Sequence, residues 1–243
     1  MNELPSYKQL ALVAALAALV GISSTARMFA AGAPRAGRSA APSDDLSVNA
    51  WSAASLGAID AKVFDLALGA ARCAVRSGTV PSPQTLTVID YSKPSTAKRL
   101  WVFDLASRAL LFEELVAHGQ GSGANFATSF SDEPDTHQSS LGLFVAEDTY
   151  VGRNGYSLRL DGLDAGFNDH ARERAIVIHG ARYVSVETAR TLGRLGRSWG
   201  CPALREGVAR SVIDRVKGGG LVFAYYPDPK WLASSKFLGG CRS

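Results

Sequence analysis

The sequence predicts an α+β, β-rich domain, and three observations carry that prediction. A series of short apolar runs, separated by glycine, proline and polar turns, begins at Leu86 and reads as strands. One segment with helical periodicity precedes the series, and another falls near its end. Helices gathered at the ends of a strand series, rather than alternating with strands, mark the α+β class. The 243 residues suffice for one domain with extensions, and an apolar content of 47% supports a substantial core.

The elements follow in order. Lys8 precedes an apolar run from Leu10 to Val20, and small residues follow at Ser24-Thr25-Ala26 and Met28-Phe29-Ala30. That layout belongs to a secretory signal, and the run is shorter than the roughly 20 residues a spanning helix needs. Residues 1–30 are therefore expected to be a signal peptide, with an uncleaved N-terminal anchor as the alternative. Residues 31–47, rich in Ala, Gly, Pro and Ser, read as a flexible linker. A helical N-terminal segment is expected over 48–85. There Leu56, Ile59, Val63, Phe64, Leu66 and Leu68 fall near a 3.6-residue period, and Gly78, Pro81 and Pro83 end it.

Strands are then expected at Leu86–Asp90, Arg99–Asp104, Ala109–Ala117, Leu141–Ala146, Tyr156–Leu160 and Ala175–Ile178. The second and third make a hairpin. Gly119, Gly121 and Gly123 mark a mobile loop, which lacks the Lys-Ser/Thr of a phosphate loop. A helix is expected from about Glu206 to Lys217, with Val208, Val212, Ile213 and Val216 on one face. Gly218-Gly219-Gly220 stops it, and Leu221–Tyr226 forms a last strand. The folded domain thus spans 86–230, with a C-terminal tail at 231–243.

Composition narrows the function. A formal charge of +4 is too weak to argue for nucleic acid, and no basic stripe interleaved with aromatics appears. That charge suits an anionic polymer or membrane surface. Exported chains tend to pair their cysteines, so among Cys73, Cys201 and Cys241 one is left over, free or reactive. If Cys201 is the reactive one, Cys73 and Cys241 are left as a candidate disulfide, provided their Cα atoms come within about 7 Å. No cysteine or histidine spacing suggests zinc, so no metal and no cofactor are expected.

The chemistry gathers around two positions. His179-Gly180 closes an apolar strand, and Cys201 follows in Arg197-Ser198-Trp199-Gly200-Cys201-Pro202. A thiol is nucleophilic as thiolate, so it needs a base or cation beside it. His179 can take the thiol proton and return it to a leaving amine. Gly200 lets the backbone approach a substrate carbonyl, and the amide of Cys201, with that of Gly200 or Trp199, can form an oxyanion hole. By themselves, a lone cysteine is more often a small buried hydrophobe and a lone histidine more often structural.

The combined pattern resembles the murein L,D-transpeptidase catalytic domain, whose motif is a His-Gly pair, a spacer, and then Ser-His-Gly-Cys. Here it reads His179-Gly180, then Ser198-Trp199-Gly200-Cys201-Pro202. Ser139-Ser140-Leu141-Gly142-Leu143-Phe144 is similar to the family's Thr-Pro-x-Gly-x-Phe strand opening, and the likeness spans about Leu86 to Pro227. It is nearest a divergent branch carrying Trp where most members carry the second His. The resemblance implies a β-sandwich or barrel with a helical N-terminal unit and a helix after the catalytic cysteine. It implies a periplasmic or otherwise exported bacterial enzyme that forms an acyl-enzyme on Cys201, with His179 as general base and acid. The partners it implies are peptidoglycan stem peptides, with no nucleic acid, and a membrane only through the N-terminal signal or anchor. Hydrolysis of the same intermediate would make the protein an L,D-carboxypeptidase. A non-catalytic cell-wall-binding module is the further alternative.

Around that pair, Gly200, Trp199, Ser198 and Gly180 are expected to shape the loop and pocket. Arg197 is a candidate for binding a substrate carboxylate, Tyr183 for lining the cleft, and His118, in the glycine-rich loop, for touching substrate. His137 reads as a surface-loop histidine and Asn168-Asp169-His170 as a turn.

Overall fold

The computed structural model describes residues 46, 50–239 and 241. The expected signal peptide, and all of the expected linker but Leu46, lie outside the described residues. Helix α1 (Ala61–Arg76) starts at Asp60, whose carboxylate accepts from the Lys62 and Val63 N–H groups. That cap fixes the start downstream of Leu56 and Ile59, which the periodicity had included. The helix buries Val63, Phe64, Ala67, Leu68 and Ala71. Phe64 meets Trp51 and Phe103 edge to face at centroid distances of 5.1 and 4.9 Å, the arrangement aromatic quadrupoles favour.

Nine strands follow: β1 (Thr85–Asp90), β2 (Leu100–Asp104), β3 (Ala109–Glu114), β4 (Val116–Ala117), β5 (Gly142–Gly152), β6 (Gly155–Gly162), β7 (Val177–Gly180), β8 (Ala203–Leu204) and β9 (Gly220–Tyr225). They form one sheet in the order β3-β2-β1-β9-β5-β6-β7-β8-β4. The pairs β1/β9 and β7/β8 are parallel and the rest antiparallel. The two ends of that order, β3 and β4, are separated in sequence by Leu115 alone. The sheet must therefore curl until its edges meet, giving a nearly closed, barrel-like form. The run expected as one strand over 109–117 is thus broken: its first part pairs with β2, its last two residues with β8.

The seam is held by buried charge. The Arg99 backbone N–H donates to Glu114, while its side-chain Nε and Nη2 donate to the Val116 carbonyl at 3.1 and 2.9 Å. Across the same seam, Arg205 Nε donates to Glu114 Oε2 at 2.9 Å.

Three further helices complete the fold. Short α2 (Val186–Leu192) buries no residue, which is why no apolar stripe announced it. Helix α3 (Glu206–Val216) buries Ala209, Val212, Ile213 and Val216 and packs against β7. Helix α4 (Pro229–Ser234) begins the stretch expected as a tail, and that stretch folds back on the domain. Trp231 is fully buried 5.5 Å from Phe223, and the Ser235 hydroxyl donates to Asp164 at 2.6 Å. Cys241 forms a disulfide with Cys73 of α1, their Cα atoms 5.1 Å apart. Among the described residues no helix is long and apolar enough to cross a membrane.

Candidate active site

Cys201 is the free cysteine, 9% exposed. Its sulfur lies in the bend that leads into β7. The thiol donates to the Ala175 carbonyl at 3.6 Å, and the Val177 N–H points at the sulfur. Ala175 adopts φ +53°, a left-handed conformation that costs a non-glycine residue energy and turns that carbonyl toward the thiol. Burial pushes the thiol up from its ordinary value. The Val177 N–H and the Arg174 charge oppose that push.

His179 stands two residues along β7 from Val177, and in parallel register with Ala203, two residues beyond Cys201. It is 4% exposed, and burial holds its imidazole below the ordinary histidine value. Its Nδ1 lies 2.9 Å from the Gly180 carbonyl. Since a carbonyl only accepts, Nδ1 carries the proton and Nε2 is left as the basic nitrogen. Gly180 thus contributes its carbonyl, and its α-carbon packs on Ala209 of α3.

Ser198 and Ser139 organise the loop that carries Cys201. The Ser198 hydroxyl donates to the Cys201 carbonyl at 2.6 Å and accepts the Gly200 N–H at 3.2 Å. This engagement corrects one expectation: the Gly200 amide is taken within the loop and is not free for an oxyanion. The Ser139 hydroxyl donates to the Gly200 carbonyl and accepts the Gly119 N–H, both at 3.0 Å. Gly200 has φ +115°, open only to glycine at little cost. Gly119 must be glycine for another reason: a Cβ there would press on the His137 carbonyl and lie 2.8 Å from the Gly200 α-carbon.

The other expected residues fall into two groups. Tyr183 packs on Gly196 and lies close enough to Cys201 for the thiolate to act on it, its phenol pushed up to about 12 by burial first. Trp199, 66% exposed, stacks on His137 with centroids 4.8 Å apart and planes 7° from parallel. Arg197 and His118 are placed differently from expectation. Arg197 Nη1 donates to the Gly123 carbonyl at 2.9 Å, so it braces the glycine-rich loop. His118 is fully buried: Arg99 Nη2 donates to its Nδ1 at 2.7 Å, and burial drives its value down to about 4. It is a neutral acceptor for Arg99 with no surface for substrate. The glycine-rich stretch itself is a hydrogen-bonded 3-10 turn (Gln120–Ser122), with Gln120 N–H on the Ser198 carbonyl and Gly121 N–H on that of His137.

Two features escaped the sequence reading. Arg174, buried beside Gly200, had no motif to mark it. Asp132, Asp169 and His170 bring potential ligand atoms within 4.8 Å of one another. There, however, the His170 backbone N–H and Nδ1 already sit on Asp132 Oδ2 at 2.9 and 3.0 Å, so these contacts build a turn.

Comparison with known proteins adds the following. The sequence profile of the L,D-transpeptidase catalytic domain matches residues 56–225. No curated protein matches the chain. Similar solved structures include an L,D-transpeptidase from Mycobacterium smegmatis, 14% identical over 60% of each chain with a TM-score of 0.37. Another is an L,D-transpeptidase from Stackebrandtia nassauensis, 14% identical over 68% of each chain, TM-score 0.37. A third is the helical cell shape determining protein Pgp2 from Campylobacter jejuni, 12% identical over 61% of this chain and 49% of that one, TM-score 0.40. The chain therefore spans about 60% of the first of these.

Proposed function

Since the chain belongs to the L,D-transpeptidase catalytic domain family, we propose that it is an exported enzyme acting on peptidoglycan stem peptides through an acyl-enzyme on Cys201. The observation that supports this most is that a free, buried thiol sits against the Ala175 carbonyl and the Val177 N–H at the start of β7, the strand that carries the buried His179. In this reading His179 Nε2 takes the thiol proton. The sulfur then attacks the carbonyl of a diaminopimelate residue whose next bond leads to D-alanine. The C–S bond forms, the C–N bond breaks, and His179 hands its proton to the departing amine. An amine from a second stem resolves the thioester as a cross-link, which is transpeptidation. Water resolving it instead gives L,D-carboxypeptidase activity.

Trp199 supports a reading of altered substrate choice rather than lost chemistry. It lies at the rim of the nucleophile loop, stacked on His137, and presents an exposed apolar face beside Cys201. The test is D-alanine release, or cross-linked product, from tetrapeptide-bearing muropeptides. Cys201→Ala is expected to lose activity by at least about a thousandfold and His179→Ala by about a hundredfold or more. Full activity in Cys201→Ala would overturn the nucleophile assignment. Wall binding by the wild type with neither turnover nor acylation by a carbapenem would favour a non-catalytic module.

A further inference from the structure

Arg174 has no part in the chemistry above, yet burial places its permanent charge beside the nucleophile. Its side chain is 4% exposed. Nη1 donates to the Ser131 carbonyl and the Ser140 hydroxyl at 2.8 and 2.6 Å, and Nη2 donates to the Gln138 carbonyl at 2.7 Å. The same Nη2 is 3.4 Å from where a Cβ on Gly200 would sit. The chain then continues directly into the groups that hold the sulfur, the Ala175 carbonyl and the Val177 N–H.

A buried guanidinium costs several kcal/mol of desolvation unless it is well paired. Here the pairing is incomplete. Asp132 Oδ1 stands 3.7 Å from Nη1, an ion pair longer than a hydrogen bond, so the carboxylate neutralises the guanidinium only in part. Part of the positive field therefore remains available to the neighbouring thiol. The other titratable groups around Cys201 do not compete for that role. Tyr91 and Tyr183 are both pushed up to about 12 by burial, and burial also disfavours the charged form of His179. Arg99 faces Tyr91 rather than the sulfur, 5.2 Å from its ring, and Glu133 acts on Arg174 from the Asp132 side.

We propose that Arg174 is a positioning residue for the nucleophile: its buried charge favours the Cys201 thiolate, and its hold on the Gln138 carbonyl keeps Gly200 seated under the loop. The proposal rests on the reading of Cys201 as nucleophile, but its test needs no peptide. Cys73 and Cys241 are bonded to each other, so iodoacetamide reports on Cys201. The full chain is alkylated between about pH 7 and pH 11, and the rate at Cys201 is followed by mass spectrometry. In Arg174→Gln the midpoint of the rate profile is expected to move up by about one pH unit, with alkylation below it about tenfold slower. In Asp132→Asn, which removes the partly neutralising carboxylate, the midpoint is expected to move down. A folded Arg174→Gln with the wild-type midpoint overturns the proposal. Should that variant fail to fold, Asp132→Asn decides alone: a lower midpoint supports the proposal, and an unchanged or higher one overturns it. Wild-type alkylation that behaves as expected, with no release of D-alanine from muropeptides, would sink the proposed function and leave the role of Arg174 standing.

Discussion

At Cys201 the balance lies between burial, which disfavours the thiolate, and two neighbours that oppose it, the Val177 N–H and the Arg174 guanidinium. In the proposed mechanism the histidine sets the pH response. His179 must be neutral to accept the thiol proton, and burial disfavours its charged form. Activity is therefore present above the folded-state value of His179 and lost as pH falls through it. The acid limb of kcat/KM for D-alanine release is expected to have its midpoint below the ordinary histidine value of about 6.5. A midpoint above that value, in a pH profile of the wild type, would show that the imidazole is not the buried base described here. The positions of Cys201 and His179, in a glycine-containing loop and at the end of an apolar strand, were legible in the sequence. Arg174 was not. Its partners are carbonyls and a hydroxyl from residues 131–140, and backbone acceptors leave no signature in the side-chain sequence.

At the scale of elements, the glycine-rich stretch 119–123 illustrates how a local reading can find the right place and miss the role. Its glycines predicted a loop, and a loop is there. What the sequence hid is that His118 turns inward to meet Arg99 and that Gly119 is pressed against Gly200. Both contacts join elements remote in the chain. The inward turn has a measurable cost in acid. Unfolded His118 binds its proton near pH 6.5, whereas in the folded protein it does so only near pH 4. Between those values the unfolded state carries more protons, so stability falls as pH falls through the window, by about 3 kcal/mol in all. Urea unfolding at several pH values is expected to show this loss in the wild type. His118→Gln, which keeps an acceptor for Arg99 and cannot titrate, is expected to lose about 3 kcal/mol less across the window. Parallel curves for the two proteins would contradict the buried, neutral assignment.

For the molecule as a whole, the C-terminal stretch is as structural as the strands. Trp231 fills the core, Ser235 bonds Asp164, and Cys241 is tied to α1. The disulfide closes a loop with a sequence separation of 168 residues, so it removes many conformations from the unfolded chain. Replacing both cysteines with serine is expected to lower stability by about 2–5 kcal/mol in urea unfolding. An unchanged midpoint would mean that the packing of Trp231 already fixes the stretch without it. The fold class followed from the strand series together with the helical segments near its two ends. The strand order did not, because Leu115 sits inside one apolar run, and nothing in that run tells which residues go to which end of the sheet.

That single-residue link also bears on solubility. The outermost strand of an open sheet displays a row of unsatisfied amides and carbonyls, onto which another chain can add itself and begin an aggregate. Here the two outermost strands are consecutive in sequence, and the carbonyls on either side of the link, those of Glu114 and Val116, both accept from Arg99. Where a stray chain would seek its first hydrogen bonds, it meets acceptors already occupied by a fully buried arginine.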